Sequence, residues 1–334
     1  MKMIIFTACV LLAIFAASVS NAATSPWKEK AEGEGKVVWY TTIGATDCKM
    51  LSDRFMQDYP KIEVQCYRTG GPQIVERIFT EARAGKQLWD VFMNSGIYTN
   101  LLTKKGMLAV YVSPEAQFYR EGFKDPKGTW VSMYTNYAVA GYNTRLVRKE
   151  DVPKSYEDLL KPMWKGQLGM DSKSYEWFAI VSRGLGDDKN FNLMRALAKT
   201  QVQLRNGREL VAQLVPAGEF KIGVNAYSHN FESLKQRGAP VDWVPLNPVY
   251  ANIHPVGLNP SAPHPNAGKL FIDFLLSKSG QEVLRSLKRI PDRIDTPPDP
   301  PRLIEGIKPA FGTQDIYDDF NRYIKLFNEI FGIS

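Results

Sequence analysis

The N-terminal third of the chain alternates buried strand patterns with amphipathic helix patterns, and this alternation constrains the fold more than any other feature. Helices are predicted over 47–59 and 74–84, stopped by Pro60 and Gly85. The strands around them are predicted at KVVWYTT, KIEVQCYR and LWDVFMN. Five alternating elements within so short a stretch indicate a parallel sheet with helices on its faces.

Two long extended runs bracket the middle of the chain, WVSMYTNYAVAGYNT and VYANIHPVGLN. Each is too long to serve a single lobe. We therefore expect an α/β protein of two Rossmann-like lobes joined by two crossing strands, with the cleft between the lobes as the ligand site. Lobe 1 would comprise residues 23–135 and 256–334, and residues 136–255 would form the inserted lobe 2. One last amphipathic helix is predicted over 314–331.

Residues 1–22 have the pattern of a secretory signal peptide. Lys2 precedes an apolar run, and Ser20 and Ala22 occupy the −3 and −1 positions of a cleavage site. The apolar run is too short to span a membrane. We therefore expect a periplasmic protein that does not cross the bilayer.

The formal net charge of +7 favours an anionic ligand, but the basic residues are scattered, which argues against nucleic acid. His229, His254 and His264 show no metal-ligand spacing, and no nucleophile elbow or zinc-protease motif is present. We therefore expect neither catalysis nor a cofactor. A secreted enzyme that uses Asp171 or Glu176 as its base is the alternative.

Removal of the signal peptide leaves two cysteines, Cys48 and Cys66. In an oxidising compartment an even pair favours a disulfide. Both positions fall near the same edge of a parallel sheet, so a bridge would close a short loop there. Two separate thiols are the alternative.

Polar residues follow the predicted strands, and ligands bind at the carboxyl ends of strands in such sheets. In RTGGPQ, glycines precede a helix whose free N–H groups favour an anion, and Arg68 adds a charged donor. An ordinary strand-to-helix turn is the alternative. The candidate ligand-binding residues are Thr41, Thr42, Arg68, Thr69, Gly70, Asn94, Ser95, Asn136, Asp171, Ser172, Tyr175, Asn225 and Tyr227.

Two of the candidates in the inserted segment have competing interpretations. Asp171 either contacts the ligand or caps the helix that carries Tyr175. Tyr227 either stacks on the ligand, donates a hydrogen bond, coordinates a hard metal as a phenolate, or packs as a half-buried side chain.

The stretches VVWYTT, FMQDYPKIEV, DVFMNSG and HPNAGKLFIDFLLSKSGQEVL together resemble the periplasmic solute-binding proteins of the ferric-iron, thiamine and phosphonate uptake group. The resemblance covers nearly all of the chain after the signal peptide. It implies the type 2 periplasmic-binding fold, which closes on a ligand for delivery to an ABC-type permease. We expect a monomer in this role.

The resemblance fails at the residues that bind iron in the ferric members. Those proteins carry an adjacent tyrosine pair, whereas here Tyr227 is followed by Ser228, and TTIGATD lacks their histidine. One phenolate is too few for Fe(III) unless bound anions complete its coordination. We therefore favour a phosphonate, organophosphate or carboxylate ligand. Fe(III) held by Tyr227 and bound anions is the alternative, and a sensor that signals to a receptor is a third possibility.

Overall fold

The computed structural model describes residues 25–333, so the predicted signal peptide lies outside the described residues. The α-helices are α1 Lys28–Glu34, α2 Ala45–Asp58, α3 Gly71–Arg83, α4 Gly96–Lys104, α5 Tyr175–Leu185, α6 Asp187–Lys199, α7 Arg208–Ala217, α8 Ser228–Gln236, α9 Pro265–Leu276, α10 Lys278–Ser286, α11 Gln314–Asp318 and α12 Phe320–Phe331. The strands are β1 Lys36–Thr41, β2 Glu63–Arg68, β3 Val91–Met93, β4 Val131–Asn143, β5 Leu168–Asp171, β6 Gln203–Arg205, β7 Ile222–Tyr227, β8 Val241–Val244, β9 Val249–Leu258 and β10 Pro309–Ala310.

The strands form one ladder in the order β2-β1-β3-β9-β4-β7-β5-β6. Each end of the ladder is parallel, as the alternating strands and helices predict: β2, β1 and β3 at one end, and β7, β5 and β6 at the other. The central strands β9 and β4 pair antiparallel to each other. The predicted α/β architecture with two crossing strands is confirmed.

Strand β4 belongs to both ends of the ladder. Its first half, from Val131 to Tyr137, pairs with β9, and its second half pairs with β7 and β8. Pairing with β9 is interrupted between Ser132 and Thr135, where the register shifts. A register shift bends a strand locally, so the two ends of the sheet meet at an angle with a cleft between them.

Separate apolar cores stabilise the two ends of the sheet. At the β1 end, Trp39 packs edge-on against Phe271 of α9, with ring centroids 5.3 Å apart, and Phe55 of α2 contacts the same ring. At the other end, Trp177 and Phe178 of α5 are fully buried in a second cluster. Each end therefore buries its helices independently.

The C-terminal segment differs from its prediction in one respect. The single helix expected over 314–331 is broken at Asp319 into α11 and α12. Helix α12 packs on α5, where the rings of Tyr175 and Phe327 lie 5.3 Å apart. The lobe boundaries stay a prediction, and we propose that residues 314–331 be counted with lobe 2, because their apolar face is buried there.

Within residues 25–333, the helices are all too short or too polar to cross a bilayer.

The predicted disulfide between Cys48 and Cys66 is present and joins α2 to the edge strand β2, with a Cα–Cα distance of 6.8 Å. The two residues are 18 positions apart in the chain. The bridge therefore fastens the helix that follows β1 to the outermost strand of the parallel sheet.

Replacement of both Cys48 and Cys66 by alanine is expected to lower the free energy of unfolding by about 3 kcal/mol, because an open loop of this length gains conformational entropy in the unfolded chain. Urea unfolding of the oxidised wild type and of the double variant measures the difference. In reducing buffer the two proteins should coincide, and coincident curves in oxidising buffer would contradict the prediction.

Candidate functional site

A cavity of about 720 Å³ lies between the two ends of the sheet. Both ends contribute to its wall, since it is lined by strand ends and helix starts from β1 to β3 and from β5 to β7. Eight of the predicted candidates line it: Thr42, Arg68, Asn94, Ser95, Asn136, Asp171, Tyr175 and Tyr227. The sequence patterns thus point to the same cavity from both halves of the chain.

The other five predicted candidates lie just behind the cavity wall. Thr41 accepts a hydrogen bond from the Ile43 N–H, and the N–H groups of Thr69 and Ser172 bond to backbone carbonyls. Gly70 precedes α3, and Asn225 is fully buried. These residues shape the wall instead of presenting groups to the cavity.

Three helices, α2, α3 and α4, begin at the cavity wall of the β1 end, and none has a side-chain N-cap. Their first-turn N–H groups are left for another acceptor. Asn94 ties two of these starts together: its Nδ2 donates to the Gly71 carbonyl at 3.1 Å, and its Oδ1 accepts from the Ser95 N–H at 2.8 Å. A Cβ at Gly71 would approach Asn94 Oδ1 to 2.8 Å, so only glycine allows this contact.

Arg68 closes the rim of the same wall. Its Nε donates to the Ile43 carbonyl at 3.2 Å, which holds the loop after β1. Within residues 25–333 the guanidinium forms no ion pair with a carboxylate at 4 Å or less, although it lines the cavity. Arg68 therefore presents an uncompensated positive charge.

Arg208 lies at the centre of the opposite wall. No pattern in the sequence predicted it as a site residue. Asp171 holds the start of α7, since its Oδ1 accepts from the Gly207 N–H at 2.9 Å, and Gly207 has a φ of 111° that favours glycine. Burial opposes the charge on Arg208, but Tyr227 and Asp171 keep its pKa above the usual guanidinium value. The wall thus carries a permanent cation.

Asp171 is occupied by structural contacts. Besides Gly207 it accepts from the Lys173 N–H at 3.3 Å and the Ser174 hydroxyl at 3.2 Å, and it lies 3.6 Å from Arg208. Asp171 does not cap the helix that carries Tyr175, since no side chain caps the start of α5; it holds the turn before α5 and the turn before α7. Three hydrogen bonds thus hold Asp171 in a structural position between two turns.

The floor of the cavity is organised by Arg289, which had no local signal in the sequence. Its Nε and Nη2 donate to one oxygen of Asp47 at 2.7 and 2.5 Å, and its Nη1 lies 2.9 Å from His229 Nε2. Asp47 is 242 positions away in the chain. Burial opposes the charge, but Tyr134 and Asp47 raise the pKa of Arg289 above its usual value.

Two histidines beside Arg289 are neutral. Burial and the nearby Arg289 lower the pKa of His254 to about 3, and the same causes hold the pKa of His229 well below its usual value. Because Arg289 donates to Nε2 of His229, the ring proton lies on Nδ1. That nitrogen is buried without a partner in the described residues, as is Oδ1 of Asn252. The floor therefore contains a neutral donor and a neutral acceptor that are both shielded from solvent.

Tyr227 lies between the wall and the floor. Its hydroxyl oxygen is 3.0 Å from Asn252 Nδ2 and 3.4 Å from Arg208 Nη1, and the Arg208 guanidinium lies over its ring. Within residues 25–333 no cluster of three or more His, Cys, Asp or Glu side chains is placed to hold a metal ion. A cation on Tyr227 would be adjacent to Arg208.

Substitution of Asp47 by asparagine is expected to lower the free energy of unfolding by about 3 kcal/mol, because Arg289 would remain buried without its counter-charge. Asp53→Asn is the matched control, since the Lys49–Asp53 pair is exposed, with side chains 75% and 44% accessible, and should cost under about 1 kcal/mol. Chemical unfolding measures both, and equal losses would contradict a structural role for the buried pair.

Comparison with known proteins places this architecture in a family. Residues 86–319 match the model of the bacterial extracellular solute-binding proteins. The Fe(3+)-binding periplasmic protein of Serratia marcescens is 24% identical over 274 residues, which cover 77% of this chain and 78% of that protein.

Solved structures share the fold. Iron-bound HitA from Pseudomonas aeruginosa superposes with a TM-score of 0.76 at 20% identity, covering 88% of this chain and 99% of that one. The periplasmic binding protein AfuA from Actinobacillus pleuropneumoniae, solved with exogenous fructose-6-phosphate bound, has a TM-score of 0.76 at 23% identity and covers 90% and 99%. The family match spans most of the chain, and the chain belongs to the bacterial extracellular solute-binding protein family.

Proposed function

We propose that this protein is the periplasmic solute-binding component of an ABC importer, and that it binds a small phosphorylated or carboxylated organic solute. The observation that carries the proposal is Arg68, a guanidinium without an ion pair in the described residues, in a cavity whose basic side chains outnumber its acidic ones: it is lined by Arg68, Lys173, Arg208 and Arg289 and by Asp171, Glu176 and Glu209. Guanidinium groups bind phosphate and carboxylate through paired, charge-assisted hydrogen bonds.

The anionic end of the solute is best placed at the start of α3. Gly71 lines the cavity there, no side chain caps this helix start, and the first turn contains no acidic residue. Arg68 lies at the end of the neighbouring strand and is free of ion pairs in the described residues. Helix N–H groups and a guanidinium together form a strong anion site.

The rest of the cavity suits a neutral polar group. His229 Nδ1 and Asn252 Oδ1 are a buried donor and a buried acceptor without protein partners in the described residues. Buried polar groups normally find a partner, and sugar hydroxyl groups both donate and accept. A phosphorylated sugar or polyol therefore fits both ends of the cavity, which agrees with the ligand named in the AfuA structure.

The cavity size also favours an organic solute. Its volume of about 720 Å³ lies in the range of about 300–1,000 Å³ that is usual for small-molecule sites. A bare metal ion would leave most of this space to water or to accompanying anions.

Binding is expected to work by closure of the two walls around the crossing strands β4 and β9. Arg68 and Arg208 lie on opposite walls, so a ligand that contacts both stabilises the closed form. A permease would recognise that closed form. The same closure would also suit a sensor that signals to a receptor. Pull-down from membranes distinguishes the two roles: recovery of a permease supports import, and recovery of a receptor supports sensing.

A ferric complex is the second candidate, and Tyr227 is the observation that favours it. Tyr227 lines the cavity, and the Serratia and Pseudomonas relatives are named for iron. The proximity of Arg208 to its hydroxyl disfavours direct coordination, because a guanidinium repels Fe(III). Only iron that is already chelated by an organic anion would suit this wall.

We propose binding without catalysis. Asp171, one of the two candidate bases, is engaged in three structural hydrogen bonds, and burial raises the pKa of the other, Glu176, which favours its neutral form. No catalytic cofactor is needed for this role. A substrate screen that found turnover lost in Asp171→Asn would contradict the proposal.

Calorimetry with hexose 6-phosphates, phosphonates, dicarboxylates and ferric citrate tests the ligand class directly. Binding of a phosphorylated or carboxylated compound, with a smaller radius of gyration on its addition, is the expected result. No binding across the panel, or binding of ferric citrate alone, would overturn the proposal.

Arg68→Ala is expected to weaken binding of the best organic anion by about 1.5–3 kcal/mol, because a charge-assisted hydrogen bond is lost. The matched control is Arg145→Ala, an exposed arginine outside the cavity, which should leave affinity unchanged. Calorimetry measures the affinity of both variants for the anion. Equal affinity of Arg68→Ala and wild type would remove Arg68 from the site.

Tyr227→Phe separates the two candidate functions. For an organic anion, loss of the hydroxyl should weaken binding by only about 1 kcal/mol, since one neutral hydrogen bond is removed. For a phenolate-bound ferric complex, the visible charge-transfer absorption should disappear. A visible band in the iron-loaded wild type that is lost in Tyr227→Phe would favour the ferric candidate.

A further inference from the structure

A short segment that follows α10, residues 289–292, packs on the crossing strand β4 at its register shift. The Thr135 N–H donates to the Ile290 carbonyl at 3.1 Å. Tyr134 and Pro291 form an isolated antiparallel bridge beside it. These contacts lie where the pairing of β4 with β9 is interrupted. The segment therefore supports β4 at the point where the strand bends.

The side chain of Asp292 joins the two residues that flank the register shift. Its Oδ2 accepts from the Ser132 hydroxyl at 2.5 Å, and its Oδ1 accepts from the Thr135 hydroxyl at 2.7 Å. Hydrogen bonds to a carboxylate are stronger than those between neutral groups. Asp292 thus holds the two sides of the shift at a fixed separation.

The same segment reaches the floor of the cavity through Arg289. The guanidinium carbon of Arg289 lies 5.2 Å from the ring centroid of Tyr134, which is inside the register shift. The Tyr134 ring stacks in turn on His254, with the centroids 4.4 Å apart. Arg289 also contacts Asp47 of one half of the chain and His229 of the other. One short segment therefore contacts both the cavity floor and the bend of β4.

We propose that residues 289–292 are a hinge strap that sets the angle between the two halves of the sheet, and with it the affinity for every solute. The inference rests on the proposed function, in which the two walls close around the solute. Asp292 is not among the residues that line the cavity, so it acts through the bend of β4 and not through a contact with the solute.

The strap affects binding through the population of wall orientations. In the structure both walls face one cavity, and Asp292 holds the bend that produces this arrangement. Without the strap, the unliganded protein would populate further orientations in which the walls do not meet the solute together. The apparent dissociation constant then rises by the reciprocal of the fraction that stays competent to bind, and this factor is the same for every ligand.

Thr135→Val tests the strap, since it removes one of the two hydroxyl contacts of Asp292 and keeps the branched shape of the side chain. Calorimetry with two organic anions of the panel, the tightest binder and a weaker one, is expected to show both weakened by the same factor. We expect about fivefold or more, because the lost hydrogen bond is made to a carboxylate. Asp292→Ala removes both contacts and should weaken both anions at least as much.

Thr129→Val is the matched control. Its hydroxyl donates to Asp125 Oδ2 at 2.6 Å in the turn before β4, so the variant loses the same kind of hydrogen bond outside the register shift. Thermal unfolding should show a similar loss of stability in both valine variants, while the control changes affinity by less than about twofold. If Thr135→Val does not fold, Ser132→Ala is measured with the same expectation.

The unliganded protein tests the strap without any solute. Spin labels at Lys105→Cys and Lys199→Cys, exposed positions on the two halves, report the distance between the halves by double electron–electron resonance. The native cysteines are bridged and do not take up the label. The distance distribution should be broader with Thr135→Val than in the wild-type background or with Thr129→Val.

The outcomes separate this inference from the proposed function. An unchanged affinity or an unchanged distance distribution in Thr135→Val would overturn the strap and leave anion binding intact. Weakened binding of only one of the two anions would also overturn it, because that result indicates a contact with the solute. If wild type binds no organic anion of the panel, the proposed function fails, and the distance distribution alone decides whether the strap sets the angle.

Discussion

The antiparallel pairing of β4 with β9 is the constraint on which the rest of the structure depends. Both strands run through the centre of the ladder, with the parallel strands of one half on one side and those of the other half on the other. The carboxyl ends of β1 to β3 and of β5 to β7 are therefore brought to the same cavity. Ligand sites in open α/β sheets form at such strand ends, and here two sets of ends face each other.

A buried guanidinium organises the floor of this cavity. Arg289 contacts Asp47 at the start of α2, Asn136 of β4 and His229 at the start of α8, so it joins both halves of the chain. Burial, together with its fixed charge, lowers the pKa of the adjacent His229 and His254 and keeps both neutral. The floor thus presents neutral hydrogen-bonding groups, while the unpaired charge lies at the rim with Arg68.

The fold is shared with proteins that were solved with different ligands, iron in HitA and fructose-6-phosphate in AfuA. The ligand is therefore decided by the side chains at the strand ends and not by the sheet. In this chain Arg208 lies beside Tyr227, and Ser228 follows it. In the proposed function, the guanidinium beside Tyr227 disfavours a metal ion at this position and favours an anion.

The sequence alone determined the alternation of strands and helices, the two crossing strands and the cysteine pair. Hydrophobic periodicity and turn residues are local properties of the sequence, and the even number of cysteines can be counted from it. It also pointed to Thr42, Arg68, Asn94 and Tyr227, since residues after parallel strands converge wherever the sheet is placed. Only the tertiary structure decided the roles of Arg289 and Arg208. Each depends on partners from other elements, such as Asp47 for Arg289, and an ion pair between residues far apart in the chain leaves no pattern in the local sequence.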